Sequence, residues 1–265
     1  MSMPGRLGRI ARTLRLFSDW RSRARYVRLR LRPAEGPPVP LRLRPLGGAP
    51  LWVRPGTSDV EVIFEDYVGG FHEPPEEVRG RRLDCIVELG TNIGAGLAAL
   101  AASNPGATLL GVEADPDNAG LARRNVSEFG ERCRVLTAAV WHEPGELVVD
   151  RGGAKATGFV VRPVGELDRD VTTVPARTVG QLLDELGPGR VVDYLYLDVE
   201  GAHAGLLTGD ADWATRVRSI KVSAHHATSY SEADCARDLE RLGFTARVIP
   251  LEPTGWTVGV RDVAA

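Results

Sequence analysis

Two short apolar runs in this chain each end in a carboxylate. Ile86-Val87-Glu88-Leu89 breaks into Gly90-Thr91-Asn92-Ile93-Gly94, and Leu109-Leu110-Gly111-Val112 ends in Glu113-Ala114. Glycines let the first loop turn tightly and bring its backbone against a ligand. The acid ending the second run can accept hydrogen bonds from both hydroxyls of a ribose. Spacing then sorts between nucleoside cofactors. A dinucleotide fingerprint needs G-x-G-x-x-G, with a helix N-terminus turned to a pyrophosphate. This loop reads E-x-G-x-x-x-G, and Thr91 stands near the place of a second close glycine. Glu88 would repel a pyrophosphate but suits the ammonium of a methionine moiety. Together the two strand ends point to S-adenosylmethionine.

A second set of reactive side chains lies downstream. Asp198 and Glu200 follow the apolar run Tyr194–Leu197, His203 comes three residues later, and His225-His226 end a further run. Methyl transfer from a sulfonium is an in-line displacement, so the protein must chiefly hold the nucleophile close and aligned. A hydroxyl acceptor must also lose a proton, to a general base or with the help of a metal. Two arrangements fit. His225 or His203 is the base, oriented by Asp198 or Glu200; or Asp198, Glu200 and His225 hold a divalent ion such as Mg²⁺ or Mn²⁺. The base is the preferred reading, because histidine titrates near neutrality. Tyr67 and His72, in a segment expected to cover the site, join Glu200 and His226 as candidate contacts to the acceptor.

These residues need a sheet to position them. From Cys85 onward the pattern alternates strand and helix. Strands are expected at 85–89, 108–113, 133–140, 194–197 and 219–224, with helices across 94–103, from Pro116 to about Phe129, 179–186 and 231–242. That order implies a Rossmann-like, doubly wound parallel sheet. The closing runs 244–249 and 256–261, joined by a short turn, must include an antiparallel strand. An excursion over 141–177 carries short β-like runs. Upstream, Leu41–Arg44 and Leu51–Arg54 alternate around Gly47-Gly48 as a hairpin. Thr57-Ser58-Asp59 offers a cap for a helix through Tyr67, and Gly69–Pro75 is expected to be a mobile connection. Residues 1–80 thus form an extension of basic helix, hairpin and lid, and residues 81–265 the main domain.

Composition sets limits. With 43% hydrophobic and 26% charged residues, the chain reads as a soluble globular protein. A net charge of -2 gives the whole molecule no general attraction for nucleic acid. Its only lysines are Lys155 and Lys221, an arginine bias that fits a GC-rich bacterial genome. Cys85, Cys133 and Cys235 are widely spaced and form no C-x-x-C pattern, which fits a reducing cytoplasm. Neither a membrane-spanning run nor a signal peptide is evident. In the first 32 residues ten arginines face only Asp19, and Leu7, Ile10, Leu14 and Phe17 recur at helical spacing. This amphipathic basic helix is read as packed on the domain or on a second subunit of a homodimer. A membrane or polyanion surface is the alternative.

These motifs resemble the FkbM-type S-adenosylmethionine-dependent methyltransferases, within the class I methyltransferase fold. The resemblance rests on Val87–Gly94, Val112-Glu113-Ala114-Asp115-Pro116-Asp117-Asn118 with Asn125, Ala138-Ala139-Val140, and Asp198-Val199-Glu200-Gly201-Ala202. Arg54-Pro55-Gly56-Thr57-Ser58-Asp59 also looks like the segment preceding the core, and the likeness covers roughly residues 40–230. It implies that Glu88, Gly90, Asn92 and Gly94, with Leu89 and Thr91 among them, line the methionine end of the cofactor. Glu113 would bind the ribose, Ala114 and Asp115 would lie beside the adenine, and Ala139 near its other edge. Asp198 would close the cofactor site. The activity implied is O-methylation of a small molecule, often a sugar or natural-product scaffold. N- or carboxyl-methylation, or a nucleoside-binding regulatory protein without turnover, are the alternatives. Two positions depart from the family pattern: His203 stands where a second glutamate is usual, and Ser223 where a glutamate commonly precedes the histidine by two.

Overall fold

A computed structural model describes residues 6–32, 34–151, 160–165, 171–199, 201–209, 211–223, 230–250 and 255–261. The chain opens with α1 (Arg6–Leu14) and α2 (Trp20–Leu31), then the hairpin β1 (Val39–Arg42) and β2 (Pro50–Val53), and α3 (Asp59–Tyr67). The alternating part runs β3 (Cys85–Leu89), α4 (Ala95–Ser103), β4 (Thr108–Glu113), α5 (Pro116–Val126) and β5 (Cys133–Thr137). The excursion holds β6 (Ala139–Val140), β7 (Gly145–Asp150), β8 (Val160–Pro163) and β9 (Thr173–Arg177). Then come α6 (Val179–Asp184), β10 (Tyr194–Leu197), α7 (His203–Thr208), β11 (Ser219–Ser223), α8 (Glu232–Arg241), β12 (Thr245–Ile249) and β13 (Trp256–Val260).

Seven strands form the main sheet in the order β12-β13-β11-β10-β3-β4-β5. All ladders from β11 to β5 are parallel, and β13 is antiparallel to both its neighbours. This is the Rossmann-like arrangement expected from the strand-helix alternation, with its antiparallel strand near the C-terminus. Strand order reverses between β3 and β10, and open α/β sheets place their ligand crevice beyond the carboxyl ends at such a switch point.

The two faces of the sheet explain the run of apolar residues in each strand. Ile86, Leu109, Tyr194 and Tyr196 face α4, α5 and the N-terminal hairpin. Val87, Leu89, Leu110, Val112, Leu195, Leu197, Ile220 and Val222 face the other helical layer with Leu182, Leu206 and Leu239. Strands buried on both sides lose the polar alternation of a half-exposed sheet. Helix α4 is buried along most of its length, which accounts for its small apolar residues.

Two expectations change. The single basic helix is two helices: Asp19 caps α2, accepting from the Ser22 amide at 2.8 Å, and Phe17 instead forms a β-bridge with Leu43. The expected strand 133–140 breaks at Ala138, and its last two residues join a separate sheet of order β6-β9-β7-β8.

The N-terminal extension is tied to the core by two polar anchors. Asn125 receives the Trp52 amide at 2.6 Å and donates to the Trp52 and Ile93 carbonyls at 3.0 and 2.8 Å, linking β2 to the glycine loop. Arg54 grips both oxygens of Asp59 at 2.9 Å and donates to the Asn118 side chain at 2.6 Å. Asp59 is fully buried, so Arg54→Ala should strand a buried charge and cost about 3–5 kcal/mol in urea unfolding. Arg54→Lys should recover only part of this, because an ammonium cannot span both oxygens.

Candidate active site

The glycine loop is shaped by what lies against it. Gly90 has φ +88°, and a Cβ there would stand 1.9 Å from the Asp198 carbonyl oxygen. The loop and the end of β10 therefore touch at the switch point, and only glycine lets them. Gly94 has φ +75° and packs on Ala122 of α5. Between them Asn92 adopts φ +49°, in the left-handed region that asparagine tolerates better than most residues. Its side-chain oxygen is buried with no hydrogen-bond partner, an acceptor held ready in the loop.

Glu113 ends β4 beside this loop. Its Oε2 accepts from the Asn92 amide at 2.8 Å and its Oε1 from the Asp115 amide at 2.9 Å. A carboxylate offers about four acceptor positions, and besides these two amides the Asn118 side chain also bonds to it. Burial pushes this carboxyl up to about 7, against the bonds from the Asp115 and Asn92 amides and the Asn118 side chain that pull it down. Asp115 caps α5, accepting from the Asp117 and Asn118 amides at 2.9 Å each. Arg151, at the end of the excursion strand β7, bridges Asp115 at 2.6 Å and Asp117 at 2.9 Å. Ala114 and Ala139 pack in one apolar cluster with Leu147, Val149, Val174 and Ala176. The end of the sheet thus brings together a loop with a spare acceptor, a buried carboxylate and an apolar cluster.

Glu88 lies deeper than its position in the motif suggests. It is 3% exposed, and its Oε2 accepts from the Thr91 hydroxyl at 2.5 Å. A Cβ on Gly96 would meet Oε1 at 2.5 Å, so glycine in the first turn of α4 makes room for it. Burial, then the charges of Asp66 and Asp198, hold this carboxyl well above its usual range.

Asp198 follows β10, with Oδ2 accepting from the Tyr196 hydroxyl at 3.2 Å. Two acids of α3 that sequence patterning had not singled out, Glu65 and Asp66, lie within electrostatic reach. Burial and the charges of Asp66, Glu61 and Asp198 push the Glu65 carboxyl up to about 7. His72 is buried, with Nδ1 3.6 Å from Asp66. Tyr67 donates to the Ala95 carbonyl at 2.9 Å, in the first turn of α4. His203 opens α7 and is buried. Val160 of β8 lies against Gly201. Glu200, His225 and His226 lie outside the described residues. Among the described residues, no group of three or more His, Cys, Asp or Glu could hold a metal ion. Of the expected metal set only Asp198 is among them.

The segment expected to be mobile is anchored. Lys221, buried in β11, donates to the carbonyls of Phe71 at 2.5 Å and Glu73 at 3.2 Å. Its ammonium lies 4.0 Å from the Trp256 ring centroid. Burial brings its pKa down to about 8. Tyr194 adds a bond from its hydroxyl to the His72 carbonyl at 3.0 Å. The signal was present in the sequence, since a lysine in an apolar strand needs partners when buried.

The methyltransferase FkbM domain matches residues 88–246. No curated protein matches the chain. Among solved structures, a precorrin-6y C5,15-methyltransferase from Geobacter metallireducens is 13% identical, with 70% of this chain and 84% of that one covered at a TM-score of 0.44. An O-methyltransferase family protein from Burkholderia thailandensis is 12% identical, with 78% and 59% covered at 0.46. A SAM-dependent methyltransferase from Aquifex aeolicus is 13% identical, with 74% and 87% covered at 0.39. The domain match takes in the glycine loop, Glu113 and Asp198 together, and more than half of the chain. The chain belongs to the FkbM family of S-adenosylmethionine-dependent methyltransferases.

Proposed function

We propose that this methyltransferase acts on a hydroxyl of a small molecule, such as a sugar or natural-product scaffold. The observation that carries the reading is the contact of Gly90 with the Asp198 carbonyl, which sets the cofactor loop beside the strand end where an acceptor would enter. When bound, S-adenosylmethionine supplies an activated methyl on a sulfonium. Backbone groups from Leu89 to Gly94, with the Asn92 oxygen, would hold its methionine end. Glu88 would act from beneath, accepting from the Thr91 hydroxyl and so fixing that part of the loop. Glu113 would hold the ribose diol, and Ala114, Asp115 and Ala139 would flank the adenine.

The acceptor would lie between Asp198 and the excursion sheet, near Val160. Asp198 would orient a histidine base, His225 or His203, toward the acceptor hydroxyl, with Tyr67, His72, Glu200 and His226 shaping the pocket. His203, buried at the start of α7, suits a positioning role better than proton transfer at an open crevice. His225 is therefore the preferred base. The metal alternative would use Asp198, Glu200 and His225 to lower the pKa of the acceptor oxygen.

Calorimetry should show Glu113→Ala weakening S-adenosylmethionine binding by about 100-fold, as expected for two hydrogen bonds to a carboxylate. Unchanged affinity would reject the cofactor assignment. His225→Ala should abolish formation of S-adenosylhomocysteine while leaving cofactor affinity within about twofold, a difference well under 1 kcal/mol. If turnover instead disappears in chelator and returns with Mg²⁺ or Mn²⁺, the metal reading replaces the base.

The acids around Asp198 favour a second reading, N-methylation of an amine that is drawn in as its ammonium and gives up a proton to one of these carboxylates before its lone pair attacks the methyl carbon. The Glu65 carboxyl is raised from its ordinary 4.5 to about 7, so the folded state binds its proton more tightly than the unfolded chain. Its contribution to stability is full below about pH 4.5 and is lost as pH rises through 7. Glu65→Gln should match the wild type at low pH and exceed it at pH 8 by roughly 1–3 kcal/mol in urea melts. A difference independent of pH would remove the case for a repulsive acid cluster.

A further inference from the structure

Helix α2 has a finished inner face and an unusual outer one. Ser22 and Tyr26 are buried against the domain. On the opposite side Trp20, Ala24, Val27 and Leu31 follow i, i+4, i+7, i+11 spacing and form one stripe, about 16 Å long at helical rise. Its two ends are the most exposed large apolar residues described, Trp20 at 72% and Leu31 at 71%. Arg21, Arg23 and Arg28 flank the stripe and are exposed. Arg28 and Arg32 have no ion pair among the described residues, and α1 adds exposed Arg12. Acidic relief is slight: Asp19 is taken up in capping, and Glu61 pairs with Arg30 at 3.3 Å.

We propose that this face docks the enzyme on the surface of an anionic phospholipid bilayer. A helix lying in the interface needs an apolar stripe that enters the acyl boundary and cations on either side that reach headgroup phosphates. Tryptophan favours that depth, where its ring is half in hydrocarbon and half in water. Each arginine gains from the negative potential of the leaflet. Charge argues against the other occupants. A nucleic-acid duplex would meet Trp20 and Leu31 where phosphate contacts need cations. A second copy, meeting this face across a twofold axis, would set arginine against arginine. The surface also precedes residues 88–246, the region that matches the family, and the proposal is independent of which acceptor the enzyme methylates.

The test is flotation of the full-length protein with vesicles of phosphatidylcholine alone or with 30 mol% phosphatidylglycerol. Binding is expected to the anionic vesicles only, and to fall at least about fivefold when ionic strength rises from 0.05 to 0.5 M, as screening shortens the Debye length. Trp20→Glu with Leu31→Glu should weaken it at least about tenfold. Arg21→Gln with Arg28→Gln should weaken it about tenfold as well, from two arginines near the surface. Thermal melting points of the variants, unchanged within a few degrees, would show that they are folded. Equal binding to neutral vesicles, or binding unaffected by Trp20→Glu with Leu31→Glu, would overturn the proposal. So would sedimentation of a dimer that this double variant dissociates, or arginine-dependent binding to duplex DNA that it leaves intact.

Discussion

The crossing of Gly90 under the Asp198 carbonyl is the constraint on which the site depends. Two strands that are neighbours in the sheet meet at this point, one leading into the glycine loop and the other into Asp198. Backbone against backbone is the closest approach a protein can make, and it leaves no atom free to relax. The distance between the two halves of the site is therefore set by the sheet register, Leu89 opposite Leu197, rather than by side-chain packing. In-line displacement demands fixed positioning of this kind.

The fold was largely legible because both of its signals are local. Apolar runs of strand length ending in an acid, and glycine loops before helices, name the parallel sheet and its crevice. The short turn between the last two runs names the antiparallel strand. What was not legible depends on distant partners. Phe17 fits a helical repeat in the sequence, yet pairs with Leu43 because Asp19 starts a new helix two residues later. Ala139-Val140 continues the strand pattern of Cys133–Thr137, but finds Ala176-Arg177 as its ladder. Asp59 reads as a cap and is instead consumed by Arg54.

The candidate site shows the same division. Gly90, Gly94 and Glu113 could be placed from spacing, since their roles follow from the turn and the strand end. Glu65, Asp66 and Arg151 could not, because they come near Asp198 and Asp115 from segments distant in sequence. One face of the sheet draws these groups together. Glu88, Tyr196 and Lys221 are cross-strand neighbours in one row, so a buried acid, a phenol and a buried amine share a single surface under α3 and α4.

Lys221 ties residues 71–73 to the sheet across about 150 positions of sequence. On the ribosome, that segment is translated long before its amine exists. The turn carrying His72 must wait, its carbonyls in water, until most of the chain has left the exit tunnel. The anchoring of residues 71–73 is thus among the last features to be completed, and a chain truncated before β11 would hold the glycine loop without it.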